Sequence, residues 1–224
     1  MKKNFPRVNL MFFALLILYS LTACTPEPTT PDCIYPPRKP NQIAPAFQSG
    51  DIIFQTSNSR QSKAIQLATH SPYSHVGIIY QKEGSFWVYE AIEPVQLTPL
   101  KTWIKRGQKE QYVVKRLKDA DQILDEQALH SMKTIGKQYM GKHYDFYFEW
   151  SDDRIYCSEL VWKIYKKAIG VELGQLQTLE SFDLTDDEVQ RKLQERYKGA
   201  IPLDEKVISP AAIFESELLI TVPN

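Results

Sequence analysis

The stretch His75-Val76-Gly77-Ile78-Ile79-Tyr80, followed by Gln81-Lys82-Glu83-Gly84 and then Ser85-Phe86-Trp87-Val88-Tyr89-Glu90-Ala91, decides how this chain folds. Two runs rich in valine, isoleucine and aromatic residues flank a polar tetrad that ends in glycine, which is the pattern of an antiparallel hairpin. Taking the tetrad as the loop sets Tyr80 opposite Ser85 and, counting outward in equal steps, His75 opposite Glu90. Directly opposed residues share a face, with Cβ atoms about 5 Å apart. Glu90 could then accept a hydrogen bond from the imidazole and fix its tautomer. A slip of one residue would send the two side chains to opposite faces.

Outward from this hairpin, Asp51-Ile52-Ile53-Phe54-Gln55 reads as a short buried strand entered from Gly50. A helix is expected from Arg60 to about Ala68, capped by Ser59. A strand is expected over Gln111–Arg116, and a single helix from about Ile123 to Tyr139, whose apolar residues recur at helical spacing. The same spacing runs from Cys157 to Ile169, with Gly170 at the C-cap. Thr185 to Glu188 matches a capping box ahead of a helix reaching about Tyr197, Ser209-Pro210 opens a further helical turn, and Leu218–Val222 closes as a strand. The fold class that results is α+β, with helices packed on a mainly antiparallel sheet.

The ends of the chain carry other information. Lys2, Lys3 and Arg7 precede a largely apolar run from Leu10 to Leu21, the form of an export signal and too short to favour a membrane span. Leu21-Thr22-Ala23-Cys24 resembles the bacterial lipobox, which implies acylation of Cys24 and a mature protein beginning there. From Pro26 to Pro45 lie 7 of the chain's 14 prolines, an extended tether that forms no core. The expected organisation is a lipoprotein signal peptide over 1–24, a Pro-rich tether over 25–45 and one domain over 46–224. An exported lipoprotein on the periplasmic side of the envelope follows, with Thr25 after the acylated cysteine favouring the outer membrane.

Lysine and arginine number 27, as do aspartate and glutamate, so no net field draws the chain to nucleic acid. Of the three cysteines, Cys24 and Cys33 lie in the leader and tether, and only Cys157 falls in the folded part; disulfides are not what stabilises the domain. Cys157 opens a helix, where unpaired N–H groups and the helix dipole stabilise a thiolate. The same amides, with Ser158 the first candidate, could stabilise an oxyanion. Singly, each residue has a plainer reading: a buried cysteine is usually core, His75 could cap a strand end, and Glu90 could be solvated. His70 and His75 lack the companion spacing of a zinc site, and neither a metal nor an organic cofactor is expected. His130 and His143 read as surface or capping residues.

Four strings in order carry a family resemblance: Gly50 to Gln55, Tyr73-Ser74-His75-Val76-Gly77, Tyr89-Glu90-Ala91, and Tyr156-Cys157-Ser158-Glu159-Leu160-Val161. Together they look like the YiiX/YebB-like permuted papain-like family, related to NlpC-type cell-wall peptidases and more distantly to the lecithin retinol acyltransferase group. In NlpC-type enzymes the cysteine helix precedes the histidine strand; the reverse order here is what circular permutation implies. The resemblance makes Cys157 the nucleophile, His75 the general base and acid, and Glu90 the orienting partner. Gly141-Lys142-His143-Tyr144 is similar to a stretch whose tyrosine helps form the oxyanion site, which implies that role for Tyr144 and a substrate contact for Asp145. The implied activity is a thiol amidase or peptidase acting on an envelope peptide or an N-acylated amino acid. Acyl transfer or lipid hydrolysis, and a tethered binding module without turnover, are the rivals.

Overall fold

The computed structural model describes residues 47–223. The leader, the tether, Cys24 and Cys33 lie outside them. Six antiparallel strands form the main sheet: β1 (Ile52–Gln55), β2 (His75–Lys82), β3 (Ser85–Glu90), β4 (Gln96–Pro99), β5 (Val113–Leu117) and, after a further pair, β8 (Leu219–Val222). Their order is β4-β3-β2-β1-β5-β8. The further pair, β6 (Gln177–Thr178) and β7 (Lys206–Val207), stands apart as a small two-stranded sheet. The expected α+β architecture with a mainly antiparallel sheet is what the chain adopts.

Seven helices appear among the described residues: α1 (Ser62–Thr69), α2 (Leu100–Arg106), α3 (Ala120–Ile123), α4 (Glu126–Tyr139), α5 (Cys157–Ile169), α6 (Asp187–Tyr197) and α7 (Pro210–Phe214). Strand alternation sorts the core into two faces. Val76 and Ile78 of β2, with Ile52 and Phe54 of β1, pack on one face with Leu160, Val161 and Ile164 of α5. On the other face Ile53, Ile79, Val88 and Val114 pack with Leu100 and Trp103 of α2. A third apolar cluster joins Ala64 of α1 to Val189 and Leu193 of α6. None of these helices is long and apolar enough to cross a membrane.

The hairpin register differs from the expected one. Lys82 faces Ser85 and Ile79 faces Val88, so the turn is the two residues Glu83 and Gly84 rather than a tetrad. Both turn residues have positive φ, 51° and 75°, the backbone of a tight hairpin, which Gly84 adopts without cost. Each pairing therefore moves by two residues, which preserves the face. His75 and Glu90 are diagonal neighbours, with Gly77 on the same face between them. A Cβ on Gly77 would lie 2.4 Å from Val88 Cγ1 and 2.9 Å from the Tyr89 carbonyl oxygen. The missing side chain lets β3 approach β2 this closely beside Glu90.

Helix boundaries were displaced where local capping competes with periodicity. α1 begins at Ser62, and Ser59 offers its backbone carbonyl to Ser62 rather than a side-chain cap. The helix expected from about Ile123 to Tyr139 begins at Glu126, because the Asp125 carboxylate accepts the Ala128 N–H at 2.7 Å and caps α4 there; Ile123 instead ends the short α3. α6 is capped by Asp186, whose Oδ1 accepts the Glu188 N–H at 2.8 Å; Thr185 instead binds Asp183. Gly170 ends α5 with φ 73°, and Ser209 caps α7 through the Ala212 N–H, both as expected.

Candidate active site

β2 starts at its functional residue. His75 is 8% exposed, and its ring stacks on Trp103 of α2 with centroids 5.8 Å apart. Nε2 lies 2.7 Å from Glu90 Oε2. That leaves Nδ1 for a second partner, and the Cys157 sulfur lies within hydrogen-bonding reach of the ring. α5 packs against β2, so its first residue arrives at the strand's first residues and the sulfur also meets the Val76 and Ser158 N–H groups. The three side chains read from the sequence thus converge at one end of the sheet.

The charges of the group are mutually dependent. Burial alone would raise the Cys157 thiol, but the imidazole beside it and the two backbone donors hold it below its ordinary value. Burial would lower His75; hydrogen bonding and charge from Cys157 and Glu90 outweigh it and raise the imidazole to about 9. Glu90, wholly buried, would be pushed up by burial, yet His75, Arg106 and Thr98 hold it below the usual carboxylate range. At neutral pH these directions favour a thiolate, an imidazolium and a carboxylate in a row.

Two supports of Glu90 were not anticipated. Thr98 Oγ1 donates to Oε1 at 2.5 Å, and Arg106 Nη2 donates to the same oxygen. Thr98 sits on β4 and Arg106 ends α2, two elements that the sequence did not reveal. With Trp103 they build a wall of side chains behind the imidazole. The only available signal was a cationic end to the short run Leu100–Arg106.

Tyr144 is buried near the sulfur, and Cys157 is among the charges that act on its hydroxyl. Its oxygen accepts Gln61 Nε2 at 3.0 Å, which leaves the hydroxyl proton free to donate; burial raises its pKa well above the ordinary range and keeps that proton in place. Ser158 contributes its backbone N–H, since its hydroxyl donates to the Ile208 carbonyl at 2.7 Å. Asp145 does not take the expected place. It is fully buried, absent from the cleft walls described below, and its Oδ1 accepts the Tyr147 N–H at 2.8 Å, which orders the loop after Tyr144. His70 pairs with Asp183 and His143 with Glu93, both at the surface. Among the described residues no three His, Cys, Asp or Glu side chains come together to hold a metal.

Two clefts meet at this point. One, about 750 Å³ including its open mouth, has Cys157 and Ser158 in its wall with Ala64, Ile65, Leu179, Val189, Leu193 and Ile208, and is almost wholly apolar. The other, about 880 Å³, is lined by His75, Arg106, Ser57, Asn58 and Gln55 and is the more polar of the two. Tyr144 and Gln61 border both.

Residues 46–222 match the family described as permuted papain-like amidase enzymes, YaeF/YiiX, C92 family. The chain belongs to this family. Another relative by sequence is the uncharacterized protein YiiX of Escherichia coli (strain K12), 51% identical over 182 residues, which are 80% of this chain and 89% of YiiX. A crystal structure of YiiX from Escherichia coli O157:H7, described as a metalloprotein, superposes with a TM-score of 0.76 at 51% identity, covering 79% of this chain and 97% of that one. The permuted order of a papain-like amidase accounts for the chain order here, with the histidine strand β2 ahead of the cysteine helix α5. A catalytic set is defined by placement in space rather than by sequence order.

Proposed function

We propose that this chain is a cysteine-nucleophile amidase that cleaves the amide of an N-acyl amino acid or envelope peptide through an acyl-enzyme. The observation that carries the reading is the unbroken chain Cys157, His75, Glu90, with the carboxylate fixed from behind by Thr98 and Arg106. His75 holds the Cys157 proton, and the thiolate attacks the carbonyl carbon. The Ser158 N–H, beside the sulfur, and the Tyr144 hydroxyl are the donors we assign to the developing oxyanion. The C–N bond then breaks, and the leaving nitrogen takes the proton from His75. Water, deprotonated by His75, attacks the thioester and releases the carboxylic acid.

The shape of the clefts supports an assignment of substrate halves. An apolar acyl group suits the cleft between α1 and α6, and burial there is worth about 0.8 kcal/mol per methylene. The amine half would leave by the polar cleft beside His75. The apolar cleft also supports a second reading, transfer of the acyl group to an alcohol or amine in place of water. The export signal and Cys24 of the sequence support a place at the bacterial envelope, tethered by a lipid.

Acid-quenching the protein during incubation with N-acyl amino acids, and weighing the peptide that contains Cys157, tests this directly. The reading expects an added acyl mass that disappears in Cys157→Ala, together with free carboxylic acid in the supernatant. An acyl ester or new amide in place of the acid would select transfer. Turnover without any adduct on Cys157, and undiminished in Cys157→Ala, would reject both.

A further inference from the structure

Beside the two clefts lies an open groove whose charge the proposed chemistry does not use. Arg60, Arg154, Lys192, Arg196 and Lys198 line it, and Glu195 is the carboxylate among its walls. In a chain with 27 charges of each sign, this is a local excess of cations. Glu195 is already engaged, by Lys192 at 2.7 Å and by Arg191. Among the described residues Arg60, Arg154, Arg196 and Lys198 have no carboxylate within 4.0 Å.

Arg196 is the informative member. It sits half-buried on α6, its guanidinium 4.3 Å from the centre of the Phe148 ring and its Nη2 donating to Gln61 Oε1 at 3.1 Å. Both of these are neutral, as is the Tyr197 hydroxyl that also bonds it; the Asp145 carboxylate attracts it only from beyond ion-pair distance. A cation withdrawn from water without a directly paired counter-charge is costly, and its burial, outweighing the distant Asp145, pulls the pKa of Arg196 down. A ligand anion would remove that cost. The position is also strategic: Arg196 and Lys192 border both the groove and the apolar cleft, Asn58, Ser59 and Phe146 border both the groove and the polar cleft, and Gln61 borders all three.

We propose that the groove binds the anionic group, a phosphate or a carboxylate, of an amphiphilic substrate whose apolar chain lies in the cleft beside Cys157, with Arg196 as the principal contact. The leaving half of the molecule runs from the polar cleft past Gln61 into the groove. The assignment of halves rests on the amidase reading; the anion site itself does not. Arg196 can present a planar pair of donors to such a group, and Arg154, Arg60 and Lys198 add field from the rim.

The test is calorimetric titration of the full chain carrying Cys157→Ala, which binds without turnover, at low salt and below micelle formation. Octyl phosphate is compared with octyl glucoside, which shares its alkyl chain and is neutral, and with inorganic phosphate. Octyl phosphate should bind about 10-fold or more tighter than octyl glucoside, as expected for charge-assisted hydrogen bonds. Adding Arg196→Gln should remove most of that preference. The solvent-facing pair Arg154→Gln and Lys198→Gln, which tests the groove without touching α6 packing, should reduce it about 3-fold. Equal affinity for the two amphiphiles, or a preference unchanged in both sets of variants, would overturn the proposal. Inorganic phosphate binding as tightly as octyl phosphate would mean that a free anion fills the groove, and would overturn the amphiphile. Failure to detect amide hydrolysis would leave the binding result intact, and equal binding would leave hydrolysis intact.

Discussion

Cys157→Ala should lower kcat by about 10⁶-fold while the chain still folds, since removing the nucleophile of a catalytic group costs nearly as much as removing the group. Cys157 is 3% exposed and belongs to the core, so loss of its sulfur should cost about 1 kcal/mol of stability, within the ordinary range for a small truncation. Activity and unfolding by denaturant, measured on one preparation, separate the two effects. A folded Cys157→Ala variant with activity within 10-fold of the parent would remove the sulfur from the chemistry.

Glu90 should show the second largest effect, and it should appear in two measurements at once. In Glu90→Gln the amide cannot act as a counter-charge to the imidazolium and can pair with the wrong tautomer of His75. A loss in kcat of about 10⁴-fold is expected, as for removal of the orienting carboxylate in related constellations. The same change leaves Arg106 and His75 without their shared anion. Breaking a buried ion pair costs roughly 3–5 kcal/mol. Arg106 is 37% exposed and can turn toward solvent, so the lower end, about 3 kcal/mol, is expected. Thr98→Val, which removes one donor to Oε1 and leaves the carboxylate, should cost about 1 kcal/mol and far less activity. Glu90→Gln with parental kcat would show that His75 is held by its stacking on Trp103 alone.

The meeting of Cys157, His75 and Glu90 was legible because it depends on period rather than on detail. The hairpin turn is two residues where four were read, yet a two-residue error leaves every side chain on its face. What changed is the relation of His75 to Glu90, from opposed to diagonal, with Gly77 now the residue opposite Glu90. The segment from Ile92 to Glu110 yielded nothing in advance. Its strand is four residues long, its helix seven, and Pro94 and Pro99 interrupt any period, so Thr98, Trp103 and Arg106 were invisible. Asp145 was placed at the substrate by its neighbour Tyr144, whereas burial and the Tyr147 N–H claim it for the loop. The apolar cleft could not be read at all, because its walls come from α1, the start of α5, α6 and Val207 of β7, which are far apart in sequence. Cap positions moved wherever a nearby aspartate offered a better acceptor, as Asp125 and Asp186 do.

All of the chemistry depends on a sulfur that is ionised at neutral pH because an imidazolium, itself held by a carboxylate, stands beside it. The rate of Cys157 alkylation by iodoacetamide as a function of pH measures this most directly. The thiolate is the reacting form, and its pKa lies below that of a free thiol, so the rate should already be high at neutral pH and fall only in acid. A second rise is expected near pH 9, where His75 loses its proton and the thiolate is no longer paired; amide hydrolysis should fall over the same interval for want of the proton that the leaving nitrogen needs. In Glu90→Gln the first rise should move to higher pH. A single rise at the pH of an ordinary thiol, unchanged by Glu90→Gln, would contradict the account.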